Sequence, residues 1–213
     1  MKNEKRDFDK EASEWDEIPG HVKLASDIAA AMSRHVPLST TMDVLDFGCG
    51  TGLLTLPWAR QVRSITGVDS SQGMLDVFAA KAAKQGFANI KTLHLDLDKD
   101  ETLTGKYDLI VSSMTLHHIR NIKSLLHQFH GVLVPSGLLC LADLDLEDGQ
   151  FHRDNSGVFH FGFERGVLRR AFVDAGFDDV LDTTAVEETR PISDGEMRRF
   201  TVFLMMGLKR ERA

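Results

Sequence analysis

Three features of this 213-residue sequence predict a doubly wound α/β fold with a seven-stranded, mostly parallel sheet. Short apolar runs alternate with segments of helical period along most of the chain. A glycine-rich turn directly follows the first apolar run. The last two strand-like runs have no long helix between them, so they add an antiparallel hairpin strand at one sheet edge.

The elements follow in order. Residues 1–19 are polar, with Phe8, Trp15 and Ile18 interspersed, and Pro19-Gly20 breaks the chain. Residues 21–36 carry Leu24, Ile28, Ala31 and His35 at helical spacing. Residues 43–47 read as a short buried strand, 48–52 as a glycine turn and 53–62 as a helix. Residues 64–68 form a second strand and 70–85 a second core helix, closed by Gly86. Strands follow at 89–95 and 107–112, then a helix at 122–133. Pro135-Ser136-Gly137 turns the chain into a fifth strand at 138–142. A loop rich in acids, glycine and aromatics spans about 143–163. A helix at 164–175 ends at Gly176, and runs at 177–186 and 199–206 close the chain.

Composition narrows the function classes. Hydrophobic residues make up 42% and charged residues 27%, an ordinary globular mix. The longest apolar runs fall far short of the ~20 residues that span a bilayer. Charges at the N-terminus have no apolar stretch behind them, so no signal peptide is expected. Cys49 and Cys140 are too few for a disulfide framework, which makes a reducing, cytoplasmic setting the expectation. The net charge of −7 argues against nucleic acid and anionic membrane as partners, with Arg198-Arg199 and Lys209-Arg210 as local basic exceptions.

The strongest signal is Val44-Leu-Asp-Phe-Gly-Cys-Gly-Thr-Gly52. Its glycines permit positive φ and close approach of a ligand to the backbone. A helix start beyond them would aim N–H groups at that ligand. The spacing is G-x-G-x-G, whereas the dinucleotide fingerprint has its third glycine one residue later, where this chain has Leu53. Asp46 precedes the turn and would repel a pyrophosphate, but not a cationic ligand.

This string resembles motif I of the class I S-adenosylmethionine-dependent methyltransferases. It is closest to the small methyltransferase-domain group that includes the ubiquinone-biosynthesis type. The resemblance extends from about residue 22 to 209 and implies a Rossmann-like fold and S-adenosylmethionine as cofactor, with S-adenosylhomocysteine as product. It also implies the site. Asp46 and carbonyls near Gly48 would hold the cofactor's amino group, and Gly48, Cys49, Gly50, Thr51 and Gly52 would pass beneath it. Asp69, at the end of the second strand, would accept both ribose hydroxyls. Ser70 and Met74 would border the adenine. Asp96 would take the adenine amino group and Leu97 would offer its N–H. Ser112 and Ser113 would meet the methionine portion.

On the acceptor side, His117 and His118 are candidate general bases, because imidazole titrates near neutral pH. Each also reads as a pocket-shaping group. Phe8, Trp15, His152 and His160 are candidate acceptor-pocket residues, with Phe161 and Phe163 as core alternatives. Many members of the resembled family carry Asp or Asn with a following Pro-Pro/Tyr near the fourth strand to grip a planar amine, and this chain lacks it, which argues against methylation of a nucleic-acid base. The acids at 143–148 alternate along a strand end and so point to opposite faces, which speaks against a metal site. Residues 1–36 are expected to form a helical cap or lid and 43–213 the core of a single domain spanning 1–213. The partner is expected to be a small-molecule acceptor, with the protein a monomer or homodimer. A non-catalytic S-adenosylmethionine-binding regulator and a protein or RNA methyltransferase remain as alternatives. A nicotinamide oxidoreductase fails on glycine spacing and on the lack of a Tyr-x-x-x-Lys pair, since Val111 lies four residues beyond Tyr107.

Overall fold

The sheet is built outward from strands that are apolar on both faces. The computed structural model describes residues 6–192 and 195–211. Strand β1 (Asp43–Phe47) pairs in parallel with β2 (Ser64–Asp69) on one side and with β4 (Tyr107–Ser113) on the other. Strand β3 (Ile90–His94) pairs with β2, and β5 (Leu133–Leu144) pairs with β4, both in parallel. Strand β7 (Met197–Leu208) inserts antiparallel between β5 and β6 (Asp178–Pro191). The order is therefore β3-β2-β1-β4-β5-β7-β6. The expected terminal hairpin is present, and its first strand forms the edge.

Alternation along β1 feeds two cores. Val44 joins Ile28 and Met32 of α2 (Pro19–Ser33) and Leu75 and Phe78 of α3 (Gln72–Lys84). Leu45 and Phe47 join Leu125 and Phe129 of α4 (Ile122–Val132) and Phe172 of α5 (Arg165–Asp174). Both faces are thus covered by helices, the arrangement that allows near-continuous apolar strands. The chain leaves β1 toward β2 and β3, then returns to place β4 on the other side of β1. The crevice above the carboxyl ends of β1 and β4 is the switch point of the sheet.

Several boundaries move from expectation. Pro19 opens α2 at its first turn instead of breaking the chain, because its missing N–H and fixed φ suit that position. The helix expected at 53–62 is a run of tight turns with one 3₁₀ segment, Leu56–Trp58. Pro57 explains this: in a helix interior it lacks an N–H and its ring clashes with the carbonyl four residues back. Strand β5 begins at Leu133 and carries Ser136 at φ 64 within its irregular start, so Pro135-Ser-Gly137 is a kink inside the strand. Ahead of α2, residues Phe8–Glu11 form a short helix, α1, and Trp15–Glu17 a 3₁₀ turn. The first five residues of the expected 1–36 cap lie outside the described residues.

Candidate active site

The glycine turn is shaped by three different demands. Gly48 has φ +67, and a Cβ there would fall 2.3 Å from the Thr115 side chain. Thr115 Oγ1 in turn donates to the Gly48 carbonyl at 3.3 Å, so the loop after β4 braces the turn. Gly50 has φ +50 with nothing within 4 Å of a built Cβ, so this glycine faces open space. Gly52 has φ +79 and a Cβ there would meet Phe78 at 2.2 Å. It lets α3 approach the turn and lines neither neighbouring cavity, which corrects its expected place beneath a ligand.

Two chambers meet over this turn. One, of about 540 Å³, is lined by Gly48, Gly50, Asp69, Ser70, Met74, Asp96 and Leu97 among others. The other, of about 1220 Å³, is lined by Asp46, Gly48, Cys49, Gly50, Thr51, Ser113 and His152 among others. Phe8, Trp15, Arg6 and His118 border both. Most residues singled out in the sequence are thus brought together.

Asp69 lies at the end of β2, where its carboxylate accepts from Gly50 N–H at 2.8 Å and from Ser71 N–H at 2.9 Å. Each oxygen keeps a further lone pair. Burial pushes this carboxyl above its usual range, although the N–H donors oppose the shift. Asp46 is 1% exposed and accepts from Thr55 Oγ1 at 2.6 Å. Burial raises its pKa to about 7, the Thr55 hydroxyl working against that rise. Asp96 accepts from Asp98 N–H at 3.1 Å, and its own N–H donates to Glu101 Oε2 at 2.7 Å. Asp98, Asp100 and Glu101 also line the smaller chamber. The crevice is therefore acidic, suited to a cation and hostile to phosphate.

Four expected residues stand elsewhere. Ser112 is fully buried, donates to the Phe47 carbonyl at 2.7 Å and lines neither chamber. Its hydroxyl clamps β4 to β1. His160 uses Nε2 against the Ile119 carbonyl at 2.9 Å, fixing the loop, and also lines neither chamber. His117 is 1% exposed, with Nδ1 2.8 Å from Asp143 Oδ1. Burial would push Asp143 upward, but the His117 contact and two backbone N–H groups outweigh it and hold the carboxyl below its usual range. With Asp143 ionised, His117 Nδ1 is the donor. His117 is thus a buried strut with no route to either chamber, and Gly52 is a packing residue.

His118 is the histidine that reaches the cavities. Its Nδ1 donates to the Gly157 carbonyl at 2.8 Å, which leaves Nε2 with the lone pair. Burial, with His117 alongside, lowers its pKa to about 4. Phe8 packs edge-on to the ring with centroids 5.3 Å apart. Burial likewise lowers His152 to about 3. Cys49 packs inside the turn, where burial raises its thiol well above the ordinary value and keeps it protonated. The acids after β5 are committed to the scaffold: Asp145 to Arg165 and Thr201, Asp148 to Arg198, and Glu147 to the Gln150 and Phe151 N–H groups.

Residues 44–137 match the family described as methyltransferase domain. The chain is 35% identical over 135 residues to an uncharacterized methyltransferase of Schizosaccharomyces pombe, a match covering 57% of this chain and 48% of that protein. It is 34% identical over 128 residues to an uncharacterized methyltransferase of Mycobacterium bovis, covering 58% of this chain and 62% of that protein. The match thus spans about half to three-fifths of these curated relatives. Among solved structures, Bacillus subtilis YcgJ superposes with TM-score 0.71 at 15% identity, covering 88% of this chain and all of that one. A Haemonchus contortus phosphoethanolamine N-methyltransferase, solved with S-adenosyl-L-methionine, gives TM-score 0.70 at 14% identity over 96% of this chain and 60% of that one. These likenesses establish a shared fold for the chain.

Several contacts of the candidate site were not foreseen from sequence. Asp143 stands at the end of β5, beside β4, so knowledge of the strand order would have found it as the partner of His117. Asp9 and Asp16 carried no signal. Asp9 accepts from Ser71 Oγ at 2.6 Å and Gly73 N–H at 2.7 Å, and Asp16 accepts from Thr51 Oγ1 at 2.5 Å and pairs with Lys81.

Proposed function

We propose that this chain is an S-adenosylmethionine-dependent methyltransferase acting on a small-molecule acceptor. The observation that carries the reading is Asp69: a half-buried carboxylate that rests on the Gly50 N–H, keeps lone pairs to spare and borders the smaller chamber. That chamber suits an adenosine, with Asp69 accepting from the ribose hydroxyls and Met74 and Leu97 against the ring. Asp96 takes the adenine amino group. Asp46 and Ser113, on the larger chamber, face the amino-acid end. The open space at Gly50 lets a ligand lie on the backbone. S-adenosylmethionine supplies a methyl group already activated on a sulfonium.

The chain's own work is mainly positioning and exclusion of water. Phe8 and Trp15, from the N-terminal cap, border both chambers and form a roof where they meet. His118 Nε2 is the proton acceptor on the shared wall, and His117, held by Asp143, positions it through a ring contact of 4.3 Å. At pH 7 His118 is neutral. A base this weak receives a proton only from a strongly acidic group, such as a hydroxyl oxygen that has just gained a methyl.

The test uses methyl-labelled S-adenosylmethionine with cell extract separated into small-molecule, protein and nucleic-acid fractions. Label in the small molecules, lost in Asp69→Ala together with at least tenfold in S-adenosylhomocysteine affinity, is the expected result. Label in protein or RNA overturns the acceptor class. Unchanged affinity in Asp69→Ala overturns the placement of the ribose.

A further inference from the structure

The larger chamber has two chemistries in its lining. Leu24, Ile28, Leu54, Met114 and Phe151 give it an apolar part. Gln150, His152, Asn155 and Glu188 give it a polar part. Among the described residues, five buried side-chain atoms have no hydrogen-bond partner, and four belong to those four polar residues: Gln150 Oε1, His152 Nε2, Asn155 Oδ1 and Glu188 Oε2. The fifth, Glu147 Oε1, sits at the start of the same loop. An unpaired buried polar atom costs about 1–3 kcal/mol, so such a concentration calls for partners from outside the chain.

The sign of the missing partners can be read. Asn155 Nδ2 donates to the Gly149 carbonyl at 2.9 Å, and Gln150 Nε2 to Asp148 Oδ2 at 3.3 Å. Flipping either amide would set oxygen against oxygen, so the orphaned atoms are the oxygens. Glu188 Oε1 already accepts from Arg190 at 2.8 Å, which leaves Oε2. Two cations of the lining are committed to the chain: Arg6 to Glu11, and Arg190 to Glu188 and the Phe151 carbonyl. Apart from His152 Nε2, whose role follows its tautomer, and the exposed Arg153, what the polar part leaves over is three acceptor oxygens, on Gln150, Asn155 and Glu188.

We propose that the acceptor molecule has an apolar or aromatic body and carries at least two hydroxyl or amine donors on one edge, read by Gln150, Asn155 and Glu188. The proposal rests on the methyltransferase reading above. It excludes polyanionic acceptors, whose lone pairs would face those of the wall.

The test is calorimetry on the full chain with four probes of one shape: 2,3-dihydroxynaphthalene, 2,3-diaminonaphthalene, 2,3-dimethoxynaphthalene and naphthalene-2,3-dicarboxylate. Titrations are run with and without saturating S-adenosylhomocysteine. The diol, the diamine or both should bind at least tenfold tighter than the dimethoxy and dicarboxylate probes. Which donor probe wins separates hydroxyl from amine sources. Glu188→Gln, which keeps an oxygen for Arg190 and replaces the orphaned one with a donor, should erase about tenfold of that preference. Gln150→Leu should do the same while leaving S-adenosylhomocysteine affinity unchanged. Equal binding of all four probes, tightest binding of the dicarboxylate (which the exposed Arg153 of the same lining would hold), or no binding of any overturns the proposal. Failure to bind S-adenosylhomocysteine would instead sink the cofactor reading, and the probe series without it would still decide this one.

Discussion

A carboxylate held at pKa about 7 inside a core is a liability unless something cationic meets it, and Asp46 is in that position. Its ordinary value in an unfolded chain is near 3.8. Between those values the native state holds a proton that the unfolded state has lost. Stability from this group is therefore fully present below pH 3.8 and falls as pH rises toward 7. Three pH units at about 1.4 kcal/mol each make the loss about 4 kcal/mol. A cationic amino group beside Asp46 would reverse this by favouring the ionised form. Asp46→Asn, which can still accept from Thr55, should be a few kcal/mol more stable than the parent at pH 8 without cofactor. It should bind S-adenosylmethionine at least tenfold more weakly, and it should lose the parent's rise in affinity between pH 6 and 8. Urea melts across pH and calorimetry check both halves; superimposable stability profiles for the two proteins would refute the account.

At the level of elements, two glycines separated by a single residue, Gly50 and Gly52, do opposite jobs. Phe78 of α3 lies fully buried against Gly52 and Gly67, where built Cβ atoms would stand 2.2 and 2.6 Å from its ring. That packing fixes the start of α3, whose Ser71 cap sits beside Asp69. Gly52→Ala should cost about 2–5 kcal/mol, since overpacking adds to the strain of a left-handed backbone. Gly50→Ala, open on every side, should cost about 1–2 kcal/mol but weaken S-adenosylhomocysteine binding at least tenfold. Denaturant midpoints and binding constants for the pair should move in opposite orders, and an equal loss of binding in both would contradict the division of labour. The sequence made the glycines visible but not which neighbour each one serves. The strands themselves were legible because apolar runs and the turn after β1 are local signals. The coil at 53–62 was not, because its apolar pattern suits a helix and only Pro57 objects. Ser112 was misjudged for a similar reason: a residue near the end of a strand can face the crevice or the neighbouring strand, and one strand's spacing does not say which, while His160 lies in a loop whose course no periodicity gives. Asp9 and Asp16 were silent because their partners lie more than thirty residues away in the chain.

For the whole molecule, those two carboxylates decide how the roof is attached. Asp9 caps the start of α3, and Asp16 joins the glycine turn to α3 through Thr51 and Lys81, whose ammonium also reaches the Thr51 carbonyl at 2.9 Å. Next to these two ties in the chain are Phe8 and Trp15, packed edge to face at 6.0 Å under the Arg6 guanidinium. Trp15 continues onto His21 at 4.0 Å, so the roof is joined to α2 as well. The segment buries little of its own: α1 has no buried residue, and the 3₁₀ turn has none either. A piece with few buried apolar contacts and a handful of polar ties opens locally at low cost while the sheet stays folded. Ligand in the chambers adds contacts to Phe8 and Trp15 and so favours the closed form by its own binding energy. Hydrogen exchange in residues 8–17 should therefore slow when S-adenosylhomocysteine is added. Asp16→Ala should speed that exchange and raise the dissociation rate of S-adenosylhomocysteine about tenfold, with a loss of global stability near 1 kcal/mol, because the ion pair is partly exposed. If dissociation is unchanged while exchange accelerates, the segment is a pinned terminus and not a lid, since a true lid must open before ligand can leave.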